Sequence, residues 1–592
     1  MAHFASFAFI TLLVAVSPAI AHPSGGPYGP VQQTYTVPKD AAHVYYVSPD
    51  GQADSPATIE NPATLESVFP KIVTGDVIVL RGGTYRTGGL KVNQGVTLQP
   101  YADERPVIKG TQVAAKWEAL ANNVWRTSWT NLFPAKPQDW WRREREGMKT
   151  PLHRFNNDMV FVDGRALQSA AWEGELNTNN YSIDYEHGYV FLGFNPTNHV
   201  IEITCHDSAI VRTIGEVHGK KSDGKGLVIR GITFTQFAYR ALEVEGHEPE
   251  GLADPSTFGK DVVGSTFENV TISYCSRVAG YFRGDKTVFR NCLISDTSTE
   301  GIYIIASSDC LLERNIFARN NVEHITGYFP SAVKIFNQTR RVVCRDNVVI
   351  DQPESNGIWY DVGNHGGVFV DNWVEGCVDG FFYEISWDAV CAGNVFVNCD
   401  KGVRALNSAN VRVYQNTFMN SVASFERTQR SAVGDHFGWH PTTGPDVGQR
   451  NGHVFVGNLL AAGEGFRKPL LRVEQTNVLC GILTNSPLSK LNDNVYVRSG
   501  DLGHQSLLVW GPVDGSTDCV VELDNLDALR QLHPEFETHG LYLSNYYGTV
   551  FKSPGLKNYQ LNTSFNRPEV DPLPVEVRKL LGNQTPRGPG AY

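Results

Sequence analysis

One unit recurs through the middle of this chain: two residues, an asparagine, then an apolar–x–apolar run. It reads FENVTIS, FRNCLIS, LERNIFA, CRDNVVI, FVDNWVE, CAGNVFV, VYQNTFM and FVGNLLA, on Asn269, Asn291, Asn315, Asn347, Asn372, Asn394, Asn416 and Asn458. The separations are 22, 24, 32, 25, 22, 22 and 42 residues, so a period near 22–25 recurs with two longer gaps that read as inserted loops. The units alternate apolar and polar residues and carry no helical period. A second run, such as GIYII, AVKIF, GIWYDV, GFFYEI or GVRAL, lies upstream of the asparagine. Short strands in every period, stacked turn on turn, make a solenoid in which neighbours complete one core. Leucines at fixed positions, needed for a leucine-rich repeat, are absent, and a propeller blade takes about 40 residues. The expected fold is all-β: a right-handed parallel β-helix with a small inserted β module and terminal caps. The asparagines then stack as a ladder at a turn, a structural role rather than a catalytic one.

The flanks fit that fold. YYVSPDG, NPATLESVF and GDVIVLRGGTYR read as a strand, a short helix and a strand, the helix closing the open end of the solenoid. Residues 112–205 interrupt the coil with a Trp-rich stretch (Trp117, Trp125, Trp129, Trp140, Trp141), followed by MVFVDG and YVFLGF as hairpin strands of a β module. The coil resumes at GLVIRGITF, the period fades after about Gly500, and VEVRKLLG reads as a short helix in a C-terminal cover. The expected organisation is a signal peptide over 1–21, a loose Pro- and Gly-rich leader over 22–38 and the N-terminal cap and first coils over 39–111. The β module over 112–205, the main β-helix over 206–499 and the C-terminal coils and cap over 500–592 complete it.

Residues 1–21 place an apolar run from Phe7 to Val16 before Ala19-Ile20-Ala21, a small-x-small cleavage pattern, although no Lys or Arg precedes it. The run is shorter than the roughly 20 residues of a membrane span. The expectation is a secreted or periplasmic protein cleaved near Ala21, with no membrane span. With 51 Lys+Arg against 62 Asp+Glu and no basic run, the chain lacks the clustered cations that bind nucleic acid. The ten cysteines form no Cys-x-x-Cys, and most sit inside the strand repeats, where they read as small buried hydrophobes. No Gly-x-Ser-x-Gly elbow in a suitable context and no phosphate-binding Gly-Lys-Ser/Thr loop is present.

Chemistry enters where the strands before the asparagines are aligned. In NGIWYDV, Ile358 and Tyr360 share one face and Trp359 and Asp361 the other; in DGFFYEI, Phe382 and Glu384 match Trp359 and Asp361. Asp361 and Glu384 are 23 residues, one coil, apart. Neighbouring strands lie about 4.8 Å apart, which puts the carboxyls roughly 5 Å from each other. Retaining glycosidases hold a nucleophile and an acid/base at about that separation. Two like charges so close also force one group to keep its proton. A solvated acidic surface or a Ca²⁺ pair are the alternatives.

Lys334 of SAVKIFN falls in register with Trp359, and Arg404 of KGVRALN with Phe382. This reads as a groove with cations at its ends and aromatic faces between them on which sugars stack, or as simple charge compensation of the two carboxylates. Glu300, Tyr303, His324 and Asn337 lie in or beside earlier coils and are candidates to line the same groove. His436, Trp439 and His440, in the insertion between Asn416 and Asn458, are candidates for a lid or subsite wall or for an ordinary loop.

The pair NGIWYDV and GFFYEIS resembles the paired motif of the β-helix glycoside hydrolases of family 120, the β-xylosidase family. The SPDG, PATL and GDVIVLRGGTY segments and the MVFVDG and YVFLGF module resemble the wider group. The resemblance implies Asp361 as nucleophile and Glu384 as acid/base. Where that group usually follows the glutamate with a His-Gly-Pro type segment, this chain has Ile385, Ser386, Trp387 and Asp388. Three function classes follow: a retaining glycoside hydrolase without cofactor; a lyase of uronate polymers with Lys334 or Arg404 as base and Ca²⁺ on the carboxylates; and a non-catalytic carbohydrate-binding protein.

Overall fold

The computed structural model describes residues 24–137, 150–326, 330–430, 443–500, 505–513, 518–566, 568–582 and 588–592. Three sheets of thirteen strands each, parallel but for the last strand of one, form the body of the chain. They form a right-handed β-helix in which a coil contributes one strand to each sheet. In the coil that begins at Thr266, the strand Thr266–Glu268 enters the first sheet, Thr271–Cys275 the second and Val278–Arg283 the third. Alternation decides what goes inside. Ile358 and Tyr360, Phe381 and Tyr383, and Val403 and Ala405 point into one continuous core, with phenylalanines stacked between coils at Phe267–Phe289 and Phe396–Phe418. No helix among the described residues is long and apolar enough to cross a membrane.

The asparagine ladder forms, with a shift in register at its start. Asn315, Asn347, Asn372, Asn394, Asn416 and Asn458 each donate backbone N–H and side-chain Nδ2–H to the Oδ1 of the next rung at 2.8–3.0 Å, ending on Asn494. Asn494 in turn donates to the buried Glu537 at 2.8 Å. Asn269 and Asn291 are not rungs. They sit one residue earlier, at the left-handed turn position (φ 53° and 50°) occupied elsewhere by Arg314, Asp346, Asp371 and Asp493. The rung position itself is Cys292 in that coil, whose N–H donates to Asn315.

Those two displaced side chains correct the expectation of a loose leader. Asn269 Oδ1 accepts from Val31 N–H at 2.9 Å, and Asn291 Nδ2 donates to the carbonyls of Pro27 and Gly29. Gly29 N–H reaches Arg314 O, and Tyr35 bridges to Ala102. A Pro/Gly segment with no ladder of its own is thus held by amides that the repeat leaves off its ladder.

At the N-terminal end, Thr64 caps the helix Leu65–Val68, which buries Leu65 and Val68 over the first coil. The inserted module has its own core and two sheets. Val160–Val162 and Tyr189–Leu192 are hairpin strands, but in different sheets, paired with Arg165–Ala166 and Asn180–Asp184. Glu202 of the module takes Arg86 and Lys109 of the first coils, at 2.5 and 2.7 Å, and fixes it to the rod. Eight cysteines are buried thiols, and Cys480 and Cys519 are disulfide-bonded. The helix Val575–Leu580 packs its apolar side, with Leu573 and Leu581, on the outer face of the first sheet.

Candidate active site

The third sheet carries the candidate residues. Its strands Ser331–Phe336, Asn356–Asp361, Asp379–Glu384 and Lys401–Leu406 pair in parallel. Lys334, Trp359, Phe382 and Arg404 form one column across them, and Asp361 stands directly beside Glu384 in the next. Cβ direction alternates along a strand, so both columns face outward, opposite the core residues Tyr360 and Tyr383.

The two carboxyls have different surroundings. Asp361 is 2% exposed, and the Lys334 ammonium lies 3.1 Å from its Oδ2. Glu384 is 8% exposed, and the Arg430 guanidinium lies 3.4 Å from it. Burial, and after it the charge of Asp361, push the Glu384 carboxyl up to about 8; Arg430, Arg404 and Lys334 pull the other way. Glu384 is therefore a protonated acid at neutral pH beside a carboxylate paired with an ammonium.

The first column is a stack. Lys334 Nζ lies 3.6 Å from the centre of the Trp359 ring, Trp359 and Phe382 are parallel at 4.9 Å, and the Arg404 guanidinium lies 4.9 Å from the Phe382 centre. The expectation that Trp359 and Phe382 offer ring faces to a sugar is corrected by this packing. Each face is covered by the other ring or by a cation, and the rings are 4% and 3% exposed. Arg404 acts on Glu384 by charge alone and makes its ion pairs elsewhere. It bridges Asp379 at 3.0 Å and Glu426 at 2.9 Å, and Lys401 adds to Glu426 at 3.2 Å.

The remaining candidates divide. Tyr303 precedes Lys334 in the same column and hydrogen-bonds Glu300, which opens its strand; Tyr281 continues the column at 5.1 Å from Tyr303. Asn337 follows its strand, and its N–H donates to Asp361 O at 3.2 Å. Its Nδ2 donates to Pro249 O, and with Gln338 it anchors the 246–262 loop beyond the strand ends. His324 is on an exposed loop with its Nδ1 2.6 Å from Glu354. His436, Trp439 and His440 lie outside the described residues. The chain on either side of them does reach the pair: Arg430 touches Glu384, and Thr443 packs on Gly363, two residues past Asp361.

Sequence reasoning missed Asp379, Glu426 and Arg430. Asp379 opens the strand that ends in Glu384, and Glu426 follows Glu384 and Leu406 in one register column. The same alignment that exposed Asp361 and Glu384 contains both. Arg430 sits in a return loop with no periodic signal.

A family model described as "Right handed beta helix region" matches residues 253–421. No curated protein matches the chain in sequence. Among solved structures, a complex of XylC with xylose is 14% identical, with a TM-score of 0.54, over 77% of this chain and 83% of that one. The A-module of mannuronan C-5 epimerase AlgE6 from Azotobacter vinelandii is 12% identical, with a TM-score of 0.41, over 80% and 91%. A protein described as a glycoside hydrolase is 10% identical, with a TM-score of 0.39, over 79% and 95%. The first of these shares the fold with this chain.

Proposed function

We propose that this protein is an exported glycoside hydrolase acting with retention, with Asp361 as nucleophile and Glu384 as acid/base. The observation that supports the reading is the register of Asp361 with Glu384 on adjacent strands, one carboxyl paired with an ammonium and the other pushed toward its protonated form; strands about 4.8 Å apart suit the separation retaining enzymes need. Glu384 gives its proton to the glycosidic oxygen as the bond from that oxygen to the anomeric carbon breaks. Asp361 forms the new bond to that carbon. Water then attacks the same carbon and passes a proton to Glu384, and Asp361 leaves as the free carboxylate. Lys334 orients Asp361 and gives its charge a partner before the covalent bond forms and after water has released the sugar. Export rests on the pattern of residues 1–21, which lie outside the described residues.

The contacts of the two basic candidates weigh against a lyase. A catalytic base must give up its proton readily. Arg404 is clamped between Asp379 and Glu426, whose charges raise its pKa further despite burial. Lys334 is committed to Asp361.

A panel of aryl glycosides, xylosides included, run beside uronate polymers tests the reading. Hydrolysis with the product first released in the substrate's own anomeric configuration is expected. Asp361→Asn should abolish turnover while the circular dichroism spectrum stays unchanged. Inversion of configuration, ultraviolet-absorbing unsaturated products, or full activity of Asp361→Asn would each overturn it.

A further inference from the structure

A second cluster lies far along the rod, at the last rung of the asparagine ladder. Asp493 occupies the left-handed turn position (φ 60°) just before Asn494. It is 1% exposed, and among the described residues its Oδ2 has no hydrogen-bond partner. A buried carboxylate oxygen left in this state is unfavourable unless something positive meets it. Its other oxygen lies 3.2 Å from His539 Nδ1. Asp571, from the segment that leads into the C-terminal helix, completes the group: one ligand atom from each of the three lies within 4.8 Å of the others. Among the described residues, the Lys490 ammonium stands 3.9 Å from Asp571.

We propose that Asp493, His539 and Asp571 bind a divalent transition-metal cation of the zinc type. Carboxylate and imidazole ligands sit about 2.0–2.2 Å from such an ion, so ligand atoms lie about 3.4 Å apart around a tetrahedral ion, close to the 3.2 Å between Asp493 and His539. The Asp571 side chain, 56% exposed, has room to turn toward them. An imidazole beside two carboxylates favours zinc-like ions over Mg²⁺ or Ca²⁺, which take all-oxygen sets. The three ligands come from the last ladder turn, the approach to the strand Leu541–Tyr546 and the approach to the helix Val575–Leu580. An ion there fastens the C-terminal cover to the end of the solenoid. The site is remote in sequence from Asp361 and Glu384 and does not rest on the proposed hydrolase reading.

The full-length chain, dialysed against EDTA and titrated calorimetrically with ZnCl₂, tests this. One equivalent should bind, raise Tm and slow amide exchange over residues 568–582. His539→Gln and Asp571→Asn change side chains that are 64% and 56% exposed, so the fold tolerates them. Each should weaken binding by about tenfold or more and remove the exchange effect. No uptake by the wild type, unchanged uptake by both variants, or an equal response to MgCl₂ would overturn the assignment.

Discussion

Glu384 keeps its proton because burial and the charge of Asp361 act in the same direction and outweigh Arg430, Arg404 and Lys334. Two consequences follow for pH. Activity should fall along an alkaline limb near pH 8 as the acid ionises, read from kcat/KM against an aryl glycoside. Stability should fall in the window below that limb, from about pH 4.5 to about pH 8. The folded carboxyl binds its proton up to about 8, whereas the unfolded one releases it near 4.5, so between these values the folded state holds more protons. Each pH unit of that window then weakens the fold by up to about 1.4 kcal/mol. Glu384→Gln should therefore raise Tm relative to the wild type more at pH 8 than at pH 5, as calorimetry at the two pH values would show. Lys334 belongs to the same balance. Lys334→Met leaves Asp361 buried without its ammonium and should destabilise by about 3–5 kcal/mol in urea titrations, with turnover lost as well. The acidic pair was legible in sequence because alternation and a 23-residue step fix which side chains are neighbours. The occlusion of Trp359 and Phe382 was not, because register says that rings are adjacent but not that they close on each other. Nor was the role of Asn337, whose partner Pro249 is 88 residues away in an irregular loop.

At the scale of the element, the repeating turn is one left-handed residue followed by one buried rung. The two positions do different work, so replacing them should cost differently. Asn394→Ala strips Asn372 N–H and Nδ2 of their shared acceptor and removes the Nδ2 bonds to Asn416 Oδ1 and Phe369 O, while Asn416 Oδ1 keeps the backbone N–H of residue 394. The expected loss is roughly 3 kcal/mol. Asn269→Ala removes a contact to Val31 and puts alanine at a left-handed position, and about 1 kcal/mol is expected. Denaturant midpoints of the two variants decide the point, and equal losses would contradict it. The repeat announced the ladder through six of its eight asparagines. It misplaced Asn269 and Asn291, since a one-residue slip leaves the strand alternation looking unchanged. It also passed over Asn494 of LNDNVYV, the rung that meets Glu537. The inserted module was visible as strands, but their partners were not, because two hairpins of similar pattern carry no sign of which sheet each joins.

Across the whole molecule, thirteen strands at about 4.8 Å make a rod on the order of 60 Å long. Its two ends are closed differently. The helix Leu65–Val68 covers the first coil, whereas the third sheet finishes with an antiparallel strand, Val521–Leu523, followed by the helix Leu526–Leu532. In a stack whose coils touch only their neighbours, opening starts at the ends and spreads inward. Asp361 and Glu384 stand on the seventh and eighth strands of the third sheet, with six strands on one side and five on the other. Fraying at either end does not reach them, and the Asn–Asn bonds over Asn347, Asn372 and Asn394 tie together the coils that carry them. Under rising urea, amide protection should therefore disappear first from the terminal coils, while hydrolytic activity persists until the central coils open in one transition. Exchange followed by mass spectrometry, with activity assayed on the same samples, would show the two curves separating in that order. Activity lost together with the terminal coils would mean that the ends hold the site in shape, and the insulation of the central rungs would have to be abandoned.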